Sequence, residues 1–142
     1  MLKRLMILGE GEERSTLEAL VNGMGLDDDV ALPGFVDNPY SYMRSAALFV
    51  LSSRWEGFGN VLAEAMACGT PVVSTDCPSG PAEILENGRW GSLVPVGDVN
   101  AMADAITFQL NSECAVEMTE SALKRFDVSR IVNQYLDVLL PQ

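Results

Sequence analysis

The sequence contains no histidine. That absence removes every Ser-His or Cys-His nucleophile pair and every histidine-containing metal site from the chemistry this chain can supply. Basic residues are few: nine Lys and Arg stand against twenty Asp and Glu, a formal net charge of −11. Such a balance opposes general binding to nucleic acid, whose affinity rests on neutralised phosphates, and opposes attraction to anionic lipid. No apolar run approaches the ~20 residues of a membrane-spanning helix. Lys3 and Arg4 precede Leu5-Met6-Ile7-Leu8, an apolar stretch shorter than the roughly 7–15 residues of a signal-peptide core. The three cysteines, Cys68, Cys77 and Cys114, form no C-x-x-C pair and read as small core residues in a reducing compartment. The expectation is a soluble, cytoplasmic domain.

What remains is an ordinary globular balance. The 142 residues are 48% apolar and 20% charged with 12 Gly and 7 Pro, which fits one domain over 1–142 and excludes disorder or low complexity.

Along the chain, strand and helix patterns alternate. Leu2 to Leu8 reads as a strand ending at Gly9-Glu10-Gly11. Leu17, Leu20, Val21 and Met24 then mark one helix face that stops at Gly25. Val30 to Leu32 is a short strand closed by Pro33-Gly34, and Pro39 opens a short helix over Tyr40 to Ala46. Ala47 to Ser52 has the continuous apolar character of a strand buried on both faces. A helix follows from Asn60 to Cys68, then a strand at Val72 to Ser74, a short helix at Pro81 to Glu86 and a strand at Ser92 to Val96. Asp98 is an N-cap for a helix with Val99, Met102, Ala103, Ile106 and Leu110 on its apolar face. From Asp127 to Leu140, Val128, Ile131, Val132, Tyr135 and Leu139 share a helix face expected to pack back on the domain. This alternation predicts the α/β class, a parallel sheet with helices on both faces. Ligands of such folds bind outside the carboxyl ends of the strands.

The segment Glu56-Gly57-Phe58-Gly59-Asn60-Val61-Leu62-Ala63-Glu64 sits at such an end. Its glycines allow close approach of backbone to a ligand, and the free N–H groups at the helix start form an anion site that needs no basic side chain. At 100° per residue, residues 61, 62, 65 and 66 cover an arc of about 140°, with Glu64 roughly 60° beyond its edge. Two carboxylates flanking a phosphate-sized site suit paired sugar hydroxyls. The same spacing also describes a solvated loop acid followed by a surface helix acid, and spacing alone leaves both open.

The run from Ser53 to Val73 resembles the hallmark segment of retaining glycosyltransferases of family 4, which have the glycosyltransferase B fold. Its acids Glu56 and Glu64 match that family's E-x7-E motif. Leu8-Gly9-Glu10-Gly11, Leu32-Pro33-Gly34-Phe35-Val36, Pro78-Ser79-Gly80-Pro81-Ala82-Glu83-Ile84 and Gly91-Ser92-Leu93-Val94-Pro95 resemble further landmarks of its donor domain, so the likeness spans nearly the whole chain. The resemblance implies a single Rossmann-like domain, 1–142, equivalent to the family's C-terminal donor-binding half. It places Glu56 at the donor sugar as the catalytic carboxylate. Gly57, Phe58, Gly59, Asn60 and Val61 fall at the sugar and diphosphate, Glu64 at the ribose, Val36 at the base and Gly9 in the donor site. It implies a hexosyltransferase-like activity on a UDP-, GDP- or ADP-sugar, with configuration retained and without metal or other cofactor.

The likeness has gaps. The first strand and helix of the family's donor domain, which bring an Arg and a Lys to the phosphates, have no counterpart, and Lys3 and Arg4 lie at the wrong end of their strand. Arg54 lies near the site and points equally well to solvent. The N-terminal acceptor-binding half is also absent, so the isolated chain is expected to be inactive alone. The alternative is a non-catalytic nucleotide- or partner-binding α/β module, or a fragment serving assembly only. Gly9-x-Gly11 lacks the third glycine of a dinucleotide fingerprint, and Asp27-Asp28-Asp29 reads as a solvated turn rather than a metal site.

Overall fold

The computed structural model describes residues 4–112 and 122–140, which leaves Cys114 and part of the expected Leu2–Leu8 strand outside it. The chain divides into two compact units, Met1–Pro39 and Tyr40–Gln142. The expected α/β alternation with parallel pairing is present. Among the described residues, however, the strands are hydrogen-bonded in two sheets, one of two strands and one of three, where a single sheet was expected.

In the first unit, β1 (Leu5–Leu8), α1 (Arg14–Gly23) and β2 (Val30–Gly34) form one βαβ turn. β1 and β2 pair in parallel, Leu5 beside Val30 and Leu8 beside Gly34, with an irregularity between Met6 and Leu8. β2 runs on through Pro33-Gly34, which the sequence marks as its end. Among the described residues it pairs only with β1, and its other edge takes the proline that lacks an N–H. No side chain caps α1. Arg14 anchors its start instead: its guanidinium meets Glu10 at 2.6 Å and Glu18 at 2.8 Å, and donates to the Leu32 carbonyl at 2.8 Å. Leu20 and Met24, expected on the buried face, are exposed.

After α2 (Pro39–Ser45), whose first residue closes the first unit, the second unit contains β3 (Phe49–Leu51), α3 (Asn60–Ala67), β4 (Val72–Thr75), α4 (Pro81–Ile84), β5 (Ser92–Val94), α5 (Val99–Asn111), a 3-10 turn (Lys124–Phe126) and α6 (Val128–Leu139). The order β3-β4-β5 makes β4 central, and all four of its residues are buried. This corrects the expectation for Ala47–Ser52: β3 is a three-residue edge strand with only Leu51 buried. Val72 pairs with Phe49, and both belong to a core with Leu51, Leu62, Ala65, Met66, Ile84 and Leu85. Val73 points to the other face, where its partner Ser92 accepts a 3.0 Å hydrogen bond from Gln109 of α5. Both faces of this sheet are thus covered by helix.

Local chemistry explains the remaining boundaries. Asp98 Oδ1 accepts from the Ala101 N–H at 2.9 Å, the cap expected for α5. The covered stripe of α5 runs through Met102, Ile106 and Leu110, while Val99 and Ala103 are exposed. α4 stops at Ile84, two residues short of expectation, because Glu86 and Asn87 take positive φ of 46° and 56°. Asp127 caps α6 through the Arg130 N–H at 3.1 Å. The apolar face of α6 does not pack as expected: Val128, Val132, Tyr135 and Leu139 are exposed and only Ile131 is half-buried. Among the described residues no helix is long and apolar enough to cross a membrane.

Candidate functional site

The site loop links β3 to α3. Thr75, at the carboxyl end of β4, donates its hydroxyl to the Ser53 carbonyl at 2.5 Å and so ties the start of the loop to the central strand. The Ser53 hydroxyl donates to Glu56 Oε1 at 2.6 Å, which orients the half-buried Glu56 carboxylate. Gly57 is exposed. Gly59 is the N-cap of α3 in the left-handed conformation, φ 83° and ψ 43°, which a side chain would disfavour. No side chain caps α3, so its first N–H groups, at Asn60 and Val61, lack an intrahelical acceptor and stay open to an anion.

Leu62, Ala65 and Met66 of α3 are buried, and Val61 and Glu64 are half-buried, which sets Glu64 at the edge of the packed arc. Glu64 lines an open cavity of about 670 Å³ with Asn60, Ala63 and Ala67 of α3. Leu123, Lys124, Phe126, Asp127 and Arg130 form the rest of its lining, so two cations share the walls with Glu64. Arg54 is exposed.

Phe58 is held on two sides. Its backbone lies against Gly80, where a Cβ would overlap the Phe58 carbonyl and stand 2.9 Å from its Cα. Its ring meets Phe126 edge-on, with centroids 6.0 Å apart and planes at 84°. Neither contact was foreseen from the sequence. The Pro78-Ser79-Gly80 turn was a signal for Gly80, whereas Phe126 carries none.

The structure brings Glu56, Gly57, Phe58, Gly59, Asn60, Val61 and Glu64 together in the second unit. Gly9 and Val36 belong to the first. The Gly9 N–H is already donated to the Gly34 carbonyl at 2.8 Å. Asp27 accepts a 3.4 Å bond from Asn22 in an exposed turn. Among the described residues no group of three or more His, Cys, Asp or Glu is placed to hold a metal ion.

Beneath the loop, Arg125 binds the end of α4. It donates to Glu86 Oε1 at 3.0 Å and to the carbonyls of Glu83, at 2.6 Å, and Ile84. The nearby Trp90 indole N–H, and then the Arg125 and Arg89 guanidiniums, hold the Glu86 carboxyl below its ordinary value against the opposing effect of burial. Trp90 Nε1 is itself buried without a hydrogen-bond partner, so its influence is that of a dipole near the carboxylate. A depressed carboxyl stabilises the fold above its unfolded pKa and ceases to do so as pH falls through the folded one. Glu86→Gln is therefore expected to be less stable than the unaltered chain at neutral pH. The gap should close as pH falls below 4.5, the ordinary carboxyl value. Denaturant melts across that range check this, and a gap independent of pH refutes it.

The profile of the family described as Glycosyl transferases group 1 matches residues 2–112. An N-acetylgalactosamine-N,N'-diacetylbacillosaminyl-diphospho-undecaprenol 4-alpha-N-acetylgalactosaminyltransferase from Campylobacter jejuni is 36% identical over 141 residues, covering 96% of this chain and 39% of that protein. An N-acetyl-alpha-D-glucosaminyl L-malate synthase from Bacillus anthracis is 35% identical over 137 residues, covering 93% of this chain and 36% of that protein. The crystal structure of Anabaena HepE in complex with UDP superposes with a TM-score of 0.83 at 27% identity, covering 96% of this chain and 40% of that one. The chain thus spans less than half the length of these relatives. Its α/β fold is that of its structural neighbours, and by the profile match over residues 2–112 the chain belongs to the Glycosyl transferases group 1 family.

Proposed function

We propose that this chain is the nucleotide-sugar-binding half of a retaining, family 4-like glycosyltransferase, equivalent to the C-terminal donor domain. One observation carries the reading. An uncapped helix N-terminus follows a glycine loop that presents Glu56, and Glu64 stands one turn into the helix on the wall of a cavity. In this reading Glu56 meets the donor sugar hydroxyls and Glu64 the ribose. Backbone N–H groups at Asn60 and Val61 take the diphosphate, with Gly57, Phe58 and Gly59 shaping the approach. Lys124 and Arg130, in the cavity lining, supply positive charge near the diphosphate. Val36 serves the base, and Gly9, its N–H already committed, contributes space rather than a donor.

Transfer to an acceptor hydroxyl then needs a second, acceptor-binding half, since juxtaposing two substrates accounts for about 7–11 kcal/mol of barrier reduction. The reading also includes a cytoplasmic setting, and among the described residues Cys68 and Cys77 are not disulfide-bonded.

Calorimetric titration against UDP-, GDP- and ADP-sugars tests the proposal. One of the three is expected to bind, and silence from all of them would favour the non-catalytic α/β module. Because the anion site is built from N–H groups, the affinity should survive EDTA. Loss on chelation, restored by Mg²⁺ or Mn²⁺, would refute that part of the reading.

A further inference from the structure

Phe58 lies between two glycines, so it is the loop's one bulky side chain between Glu56 and α3. Its ring, partly buried against the core, meets Phe126, a residue 68 positions later in the chain. Phe126 is in turn fixed from behind: the Arg125 guanidinium lies 4.6 Å from the centre of its ring. Three hydrogen bonds from Arg125 to the end of α4 hold that guanidinium in place. The result is a continuous chain of contacts from α4, through Arg125 and Phe126, to the loop that presents Glu56.

We infer that Phe126, clasped by Arg125, is a positioning residue for the Glu56–Gly59 loop. It sets where the Glu56 carboxylate stands relative to a bound donor sugar, an assignment that rests on the donor-binding reading above. Phe126 also lines the cavity beside Glu64, so one residue holds the loop on one side and borders the cavity on the other. An aliphatic residue at 126 would keep the apolar contact and lose both the ring edge offered to Phe58 and the ring face offered to Arg125.

The test uses the full chain with Phe126→Leu, and with Phe126→Tyr as the conservative control. Backbone order at Gly57 and Gly59 is read by NMR relaxation in the free protein, and UDP and UDP-glucose are titrated calorimetrically. The unaltered loop should be ordered, with order parameters near about 0.85 that fall below about 0.6 in Phe126→Leu. The amides of β4 should stay unchanged. UDP-glucose affinity should drop at least about fivefold more than UDP affinity, a difference near 1 kcal/mol. Phe126→Tyr should restore both readouts. A loop already flexible in the unaltered chain overturns the inference. So does unchanged order in Phe126→Leu, equal loosening of β4, or an equal drop for both ligands. If the unaltered chain binds neither ligand, the donor reading fails for uridine nucleotides, and the order parameters still decide the role of Phe126.

Discussion

Replacing Gly80 by alanine will lower the thermal midpoint by roughly 5–15 °C and weaken donor binding in the same protein. Gly80 has φ 86°, a conformation that L side chains avoid at a cost of about 1–2 kcal/mol. A Cβ there overlaps the Phe58 carbonyl, which is backbone and cannot swing aside as a flexible side chain would. Overpacking of this kind adds about 1–3 kcal/mol. If the loop yields instead, Phe58 moves, and with it Glu56 and the start of α3. Stability and binding are therefore coupled at this position. Gly23→Ala is the control, because no atom lies within 4 Å of its added Cβ and helical alanine is favoured over glycine by about 1 kcal/mol. A Gly80→Ala chain that melts with the unaltered protein would show that the loop does not lie against residue 80.

The second large effect separates the two glutamates by ligand. Glu64→Gln should weaken a bare nucleoside diphosphate and its sugar conjugate alike, because both carry the ribose. Glu56→Gln should weaken the conjugate and leave the diphosphate nearly untouched. A hydroxyl bonded to a carboxylate contributes about 1.5–3 kcal/mol, roughly 10- to 150-fold in affinity. Titration of both ligands against both variants checks this. Equal effects of the two substitutions on the two ligands, or a Glu56 effect confined to the diphosphate, would mean the roles are misassigned.

The placement of the candidate residues on a loop and a helix start could be read from the sequence because they are local. Glu56 through Glu64 fit into nine residues, so a strand end followed by a helix start already fixes which of them lie in the loop and which on the helix. The contacts that hold this segment are not local. Thr75 reaches Ser53 across 22 positions and Arg125 reaches Glu83 across 42, and nothing in hydrophobic period or turn chemistry encodes such partners. The alternation of strands and helices likewise specifies parallel pairing without saying how many sheets result. For α6, periodicity identified the helix and its apolar face, while its exposure depends on what surrounds it. α4 ran short because a left-handed Glu86 is sustained by Arg89 and Arg125, one three residues on and the other distant.

The Arg125–Phe126 clasp also orders events during synthesis. The strands β3, β4 and β5 are complete once residue 94 has left the ribosome, whereas Phe58 gains its ring partner only when residue 126 emerges. At about 5–20 residues per second those 32 residues (126 less 94) take roughly 2–6 s. For that interval the nascent unit can hold a paired sheet while the loop bearing Glu56 waits for its support. The loop bearing Glu56 thus matures later than the sheet it extends from, although the residues that compose it are made before most of that sheet.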